Sequence, residues 1–81
     1  MSTKVVLPKW GMGIEEGTVT HWLKKLGDRV QKGEPIVEIE TAKSTQEVES
    51  PVTGKLTELT VAEGETALVN TVIAVIDESN G

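Results

Sequence analysis

The chain repeats itself, and this constrains the fold more than any single motif. Placing Gly17 on Gly54, an offset of 37 residues, lays GTVTHW (17–22) over GKLTEL (54–59) without a gap. The same offset lays LGDRV (26–30) over EGETA (63–67) and PIVEIE (35–40) over VIAVID (72–77). Ile36 then falls on Ile73, Ile39 on Ile76 and Glu40 on Asp77. A chain of 81 residues supports one small domain, so two similar halves must share a single core.

The repeat also decides between helix and strand. Alone, THWLKKLGD reads as a short amphipathic helix with Trp22, Leu23 and Leu26 on one face. Its counterpart TELTVAEGE alternates and is rich in β-branched residues, which suit a pleated surface. Both therefore read as a strand followed by a turn, at Gly27 and at Gly64. Val, Ile and Thr are abundant, and the eight Gly and three Pro are spaced as punctuation between short runs. Each half supplies about four strands. The expected fold is all-β: a flattened β-barrel or sandwich of two antiparallel four-stranded sheets, related by quasi-two-fold symmetry. Val19, Val30, Val37, Ile39, Leu56, Leu59, Ala74 and Ile76 are the expected core. The domain is expected over 1–78, with 79–81 in the polar ending DESNG as the start of a linker or the end of an excised piece.

The stretch IVEIETAKSTQEVES (36–50) reads as a hairpin with Lys43 at its tip. A turn centred between Ala42 and Lys43 sets Val37 against Val48 on the inner face and Glu38 against Glu47 on the outer face. Centring on Lys43 would instead bury Glu49 against Val37, which is costly. Ala-Lys is a poor choice for the usual two-residue hairpin turns, which need positive φ and select Asn-Gly or Asp-Gly. A type I turn over Thr41–Ser44 suits these residues better. The like charges of Glu38 and Glu47 are a second local weakness. Local rules broken on a regular hairpin point to function. Lys43 could simply relieve the repulsion among Glu38, Glu40, Glu47 and Glu49. If it does chemistry, a solvated ammonium is a poor unassisted nucleophile, so modification by another enzyme fits better than catalysis. The repeat pairs Lys43 with Asn80, which predicts the hairpin tip and the C-terminal end at opposite poles.

Thirteen acidic against eight basic residues give a formal charge of −5. Phosphate binding wants a basic surface, so nucleic acid is a poor partner. There is no cysteine, hence no disulfide, thiol nucleophile or zinc–thiolate site. No apolar run approaches a membrane span, and MSTKVVLPKW does not resemble a signal peptide. The alternating EIE and EVE carboxylates lack calcium-loop spacing, and no metal site is expected. His21, the single histidine, falls opposite Glu58 in the repeat and reads as a surface residue. Trp22 falls on Leu59 and reads as packing.

These residues resemble the lipoyl domain family, which includes domains of the acyltransferase components of 2-oxo acid and acetoin dehydrogenase complexes. LPKWGMGIEEGTVTHWLKKLGDRV resembles the N-terminal half, KGEPIVEIETAKS the attachment region and SPVTGKL the segment after the hairpin. The resemblance implies that Lys43 carries lipoate in amide linkage. Glu40, Thr41, Ala42 and Ser44 would be the recognition residues around it, with Gly33 and Gly54 flanking the hairpin. Ala42 stands where Asp is usual and Ser44 where Ala is usual, which bears on partner choice more than on attachment. Related biotinyl domains usually carry Met on both sides of the lysine, so biotin is the alternative cofactor; an unmodified protein-interaction module is the other alternative.

The implied function is a swinging-arm carrier that is not itself an enzyme and binds no metal. It would pass acyl groups and reducing equivalents among a thiamine diphosphate-dependent decarboxylase, an acyltransferase catalytic domain and a dihydrolipoyl dehydrogenase. A lipoate ligase or lipoyl transferase would load it. Acylating Lys43 would leave a wholly acidic tip, with Glu38, Glu40, Glu47 and Glu49 steering partners. The resemblance places the PKWGMG loop beside the tip, where Trp10 is expected to cover one end of the core. The implied setting is cytoplasmic, or the mitochondrial matrix in a eukaryote, with the domain monomeric.

Overall fold

Six of the strands fall into pairs related by the 37-residue offset. The computed structural model describes residues 1–78; Asn80, the repeat partner of Lys43, and the segment 79–81 lie outside the described residues. Eight strands form: β1 (Ser2–Val6), β2 (Glu16–Trp22), β3 (Arg29–Val30), β4 (Pro35–Glu40), β5 (Thr45–Glu49), β6 (Gly54–Leu59), β7 (Thr66–Leu68) and β8 (Val72–Asp77). They make two antiparallel four-stranded sheets, ordered β1-β8-β6-β3 and β5-β4-β2-β7. Exchanging β1 with β5, β8 with β4, β6 with β2 and β3 with β7 converts one order into the other. The expected all-β sandwich with quasi-two-fold symmetry is the architecture observed.

The symmetry reaches individual hydrogen bonds. The Gly27 amide donates to Leu56 O and the Gly64 amide to Val19 O, each at 2.7 Å. The Leu23 amide donates to Ile36 O and the Thr60 amide to Ile73 O. Each pair of bonds is related by the repeat offset. So are the left-handed backbone positions: Gly27 matches Gly64, and Gly33 at φ 89° matches Asn70 at φ 68°. Asn is the non-glycine residue best suited to that region. The segment 23–28 is a turn rather than a helix, as its repeat partner implied.

The core lies between the sheets. Seven of the eight expected core residues are buried; Leu59 is only partly so, packing against the cluster from its rim. Val5, Leu7, Ile36, Val48, Val61 and Ile73 add to it. Ile36 and Ile73 are irregular: the ladder skips each of them, so two consecutive side chains turn inward in both β4 and β8. A bulge of this kind defeats strict alternation.

Gly17 and Gly54 anchor equivalent corners. A Cβ on Gly54 would sit 2.3 Å from Asp77 O, and one on Gly17 would sit 2.4 Å from Ile39 Cγ2. At Gly54 the neighbouring strand's backbone leaves no room for a side chain, while at Gly17 the obstacle is a side-chain methyl. The molecule is elongated, about 41 Å by 21 Å by 17 Å. Strand β4 runs towards the Lys43 turn. Strand β8 begins beside Leu7, whose amide donates to Thr71 O, and runs the other way to Asp77 and Glu78, beside Met1. The described C-terminal residues thus lie at the pole away from the hairpin tip.

Candidate functional site

The hairpin is built from β4 and β5. Val37 pairs with Val48, Glu38 with Glu47, Ile39 with Gln46 and Glu40 with Thr45. This register leaves Ala42 and Lys43 as the two tip residues, between Thr41 and Ser44. Burial of Val37 and Val48 fixes it, since a one-residue slip would send charges into the core. Glu38 is not left facing Glu47 unrelieved. Its carboxylate accepts a 2.7 Å hydrogen bond from the Thr20 hydroxyl on β2, which lies on the side of β4 away from β5. Sequence reasoning did not single out Thr20; its role depends on a cross-strand partner distant in sequence.

The tip closes without a left-handed residue. Among the described non-glycine residues only Asn70 has positive φ, so Ala42 and Lys43 do not form the usual tight hairpin turns. Closure comes instead from Thr41. Its amide donates to Ser44 O at 2.8 Å, and its hydroxyl donates to the same carbonyl at 2.8 Å. The hydroxyl also accepts from the Ser44 amide at 3.2 Å and the Lys43 amide at 3.4 Å. Thr41 is 8% exposed, while Glu40, Ala42, Lys43 and Ser44 are exposed. Of the recognition residues expected from the sequence, Thr41 thus faces inward and the other three face solvent. Gln46 donates from Nε2 to Ser44 Oγ at 2.8 Å, steadying the descending strand.

Lys43 projects from this turn. Its side chain makes no ion pair or hydrogen bond with another described residue. Beside it lies a cleft of about 290 Å³, lined by Ile14, Glu16 and Gly17 from the N-terminal loop and β2, and by Glu40, Thr41 and Ala42 from the tip. The loop after β1 therefore flanks the hairpin. Met12 in that loop is almost fully exposed, and Ile14 is buried. Trp10 packs against the core, with Val48 and Pro51 in the same groove between β1 and β5. It covers core, as expected.

The remaining candidates resolve simply. His21 is exposed, with Nδ1 3.8 Å from Glu63 Oε2. Trp22 is partly buried and donates from its indole nitrogen to Val61 O at 2.8 Å. Among the described residues no three His, Cys, Asp or Glu side chains are placed to share a metal ion, and no helix is long and apolar enough to cross a membrane. Among the described residues, the ion pair Lys24–Glu34 at 2.8 Å tethers the 23–28 turn to the residue before β4. The hydrogen bond between the two raises the lysine above its ordinary range and lowers the glutamate below its own.

Comparison with known proteins bears on what this hairpin carries. Residues 3–76 match the family model of biotin and lipoyl domains, described as "Biotin-requiring enzyme". The chain is 46% identical over 77 residues to the dihydrolipoyllysine-residue succinyltransferase component of the 2-oxoglutarate dehydrogenase complex of Bartonella vinsonii subsp. berkhoffii. It is 44% identical over 80 residues to the dihydrolipoyllysine-residue acetyltransferase component of the acetoin cleaving system of Bacillus subtilis. These matches cover 95% and 99% of this chain but only 19% and 20% of those proteins, so it spans about a fifth of their length. The solution structure of the lipoyl domain of the 2-oxoglutarate dehydrogenase complex from Azotobacter vinelandii superposes with a TM-score of 0.77 at 34% identity. That superposition covers 95% of this chain and 98% of the other.

Proposed function

The chain belongs to the biotinyl and lipoyl domain family, and from that premise we propose that it is a lipoyl carrier domain with Lys43 as the attachment residue. The observation that carries this reading is the placement of Lys43: a solvent-exposed, unpaired amine at the apex of a hairpin whose flanks are fixed by core packing. An enzyme that loads a cofactor needs an amine it can reach, and a mobile arm needs an anchor clear of the body of the domain. Both needs fit this residue. The relatives named above are dihydrolipoyllysine-residue acyltransferase components, which favours lipoate over biotin.

When bound, the lipoyl group supplies a reducible disulfide that takes up an acyl group together with electrons. The chain's own part is to hold and present. Lys43 supplies the amide nitrogen. The turn sets the direction in which its side chain leaves the domain. Exposed Glu40 adjoins the tip, and exposed Glu47 and Glu49 follow down β5; this negative charge selects partners of complementary sign and speeds encounter. The carboxylate of Glu38 is held by the Thr20 hydroxyl. Tethering makes each delivery effectively intramolecular, so local concentration replaces tight docking. In this reading the domain is a carrier and not a catalyst. Its partners are a thiamine diphosphate-dependent decarboxylase, an acyltransferase catalytic domain and a dihydrolipoyl dehydrogenase. Its setting is the cytoplasm, or the mitochondrial matrix in a eukaryote.

Intact mass of the protein from its native host, followed by peptide mapping, tests the assignment. A lipoyl adduct on Lys43 that is absent from Lys43→Arg is the expected result. A biotin adduct at the same residue would move the protein to the carboxyl-carrier class, a reading the family description "Biotin-requiring enzyme" keeps in view. A bare lysine in a host that lipoylates other proteins would leave an interaction module.

A further inference from the structure

The two halves duplicate each other's hydrogen bonds at many described positions. The bonds of Gly27 and Gly64, of Leu23 and Thr60, and of Asp28 and Glu65 with Lys25 O and Ala62 O all recur at the repeat offset. So do the Thr20 hydroxyl bond to Glu38 O and the Thr57 hydroxyl bond to Val75 O. The repeat partner of Thr41 is Glu78, whose carboxylate accepts from Thr3 and whose amide donates to Met1 O. The hydroxyl of Thr41 donates once and accepts twice inside a single turn, the full capacity of a hydroxyl; the repeat positions of its partners Lys43 and Ser44 lie outside the described residues.

We propose that Thr41 is a positioning residue for the modification of Lys43: its buried hydroxyl takes the place of a backbone acceptor, closes the Ala42–Lys43 turn and fixes the direction of the lysine. This rests on Lys43 being the attachment residue. The physical need follows from the tip residues themselves. Ala42 and Lys43 lack the left-handed propensity that closes a tight hairpin, so the Ser44 amide turns to the Thr41 side chain. Such side-chain closure is an established alternative to backbone pairing. Without it, the two tip residues gain freedom, and fewer encounters present the amine correctly. The role differs from recognition by contact, because Thr41 borders the cleft but is only 8% exposed and its hydroxyl is taken up within the turn. In the step served, Lys43 Nζ loses a proton and attacks the carboxyl carbon of lipoate activated as its adenylate. The N–C bond forms, the C–O bond to the adenylate breaks, and AMP leaves.

The test compares wild-type protein, Thr41→Val and Thr41→Ser as substrates of a lipoate ligase with lipoate and ATP. Valine keeps the shape and removes the hydroxyl; serine keeps the hydroxyl. The docking surface is otherwise unchanged, so the loss is expected in kcat rather than in KM. Thr41→Val should lower kcat about tenfold, the factor equivalent to about 1.4 kcal/mol, with Thr41→Ser restoring most of it. Valine modified as fast as wild type, or serine no better than valine, would overturn the proposal. A wild-type protein that stays bare would overturn the carrier reading and this inference with it; a modified wild type with an equally fast valine variant would overturn the inference alone. If Thr41→Val does not fold, amide hydrogen exchange on the wild type decides. The Lys43 and Ser44 amides should exchange more slowly than that of Ala42, which has no partner among the described residues. Equal exchange at all three would refute the brace.

Discussion

Replacing Gly54 by Ala separates backbone preference from packing, because the two point in opposite directions. Gly54 does not need positive φ, so alanine suits its backbone and should stabilise a strand by about 0.5–1 kcal/mol. The structure opposes this. The new Cβ would lie 2.3 Å from Asp77 O, 2.9 Å from Asp77 C and 2.9 Å from Ile76 Cγ2. Two of those atoms are backbone of β8, so relief requires parting β6 from β8 in the centre of a sheet. Overpacking of ordinary cores costs roughly 1–3 kcal/mol, and a clash with backbone belongs at the top of that range. For a domain of this size about 3 kcal/mol corresponds to a fall in Tm of roughly 12–24 °C. The twin variant Gly17→Ala meets a side-chain methyl, Ile39 Cγ2 at 2.4 Å, with the nearest backbone oxygen at 3.6 Å. A side chain can shift where a ladder cannot, so Gly17→Ala should be the milder of the two. Thermal unfolding by circular dichroism, with urea midpoints alongside, measures both. A Gly54→Ala domain as stable as wild type, or one more stable than Gly17→Ala, would refute the reasoning.

Two further outcomes are expected. Replacing Glu34 by Gln breaks the Lys24 pair, and its stabilising effect is bounded on both sides of pH. The lowered Glu34 contributes above its ordinary value of 4.5 and loses that contribution as pH falls through its folded value. The raised Lys24 contributes below 10.5 and loses it as pH rises through its own folded value. The wild-type and Glu34→Gln urea midpoints should therefore differ by a small constant amount between these limits and converge outside them; a gap that grows in acid would contradict the assignment. At Asn70, φ is 68°, so Asn70→Gly should fold at least as stably as wild type and Asn70→Val should lose about 1–2 kcal/mol. Equal chemical denaturation curves for the Gly and Val variants would argue against a left-handed residue there.

How much was legible in the sequence depends on whether a feature is local or follows from the repeat. THWLKKLGD looked helical and is strand and turn, because TELTVAEGE, at the same place in the other half, cannot be helical. The hairpin register followed from keeping Glu49 out of the core, and Lys43 followed as its apex. Thr41 was marked as a neighbour of the lysine, but its inward hydroxyl was not foreseen. A threonine is acceptable anywhere on a strand, and only the missing left-handed residue at the tip gives it work. Thr20 carried no signal, since its bond to Glu38 joins strands whose register the sequence does not print.

The sequence by itself determined the doubling, the two-sheet plan, the hairpin register and the display of a single lysine, because offset, alternation and the cost of burying charge are properties of order along the chain. The tertiary structure decided the rest. It turned both Ile36 and Val37, and both Ile73 and Ala74, into one core through bulges that alternation forbids. It also made Gly17 and Gly54 points of strand contact and enclosed the Thr41 hydroxyl. Each of these depends on which distant strand lies alongside and at what distance. That is settled only when two sheets close on a common core, where a single methyl or hydroxyl meets a partner from another part of the chain.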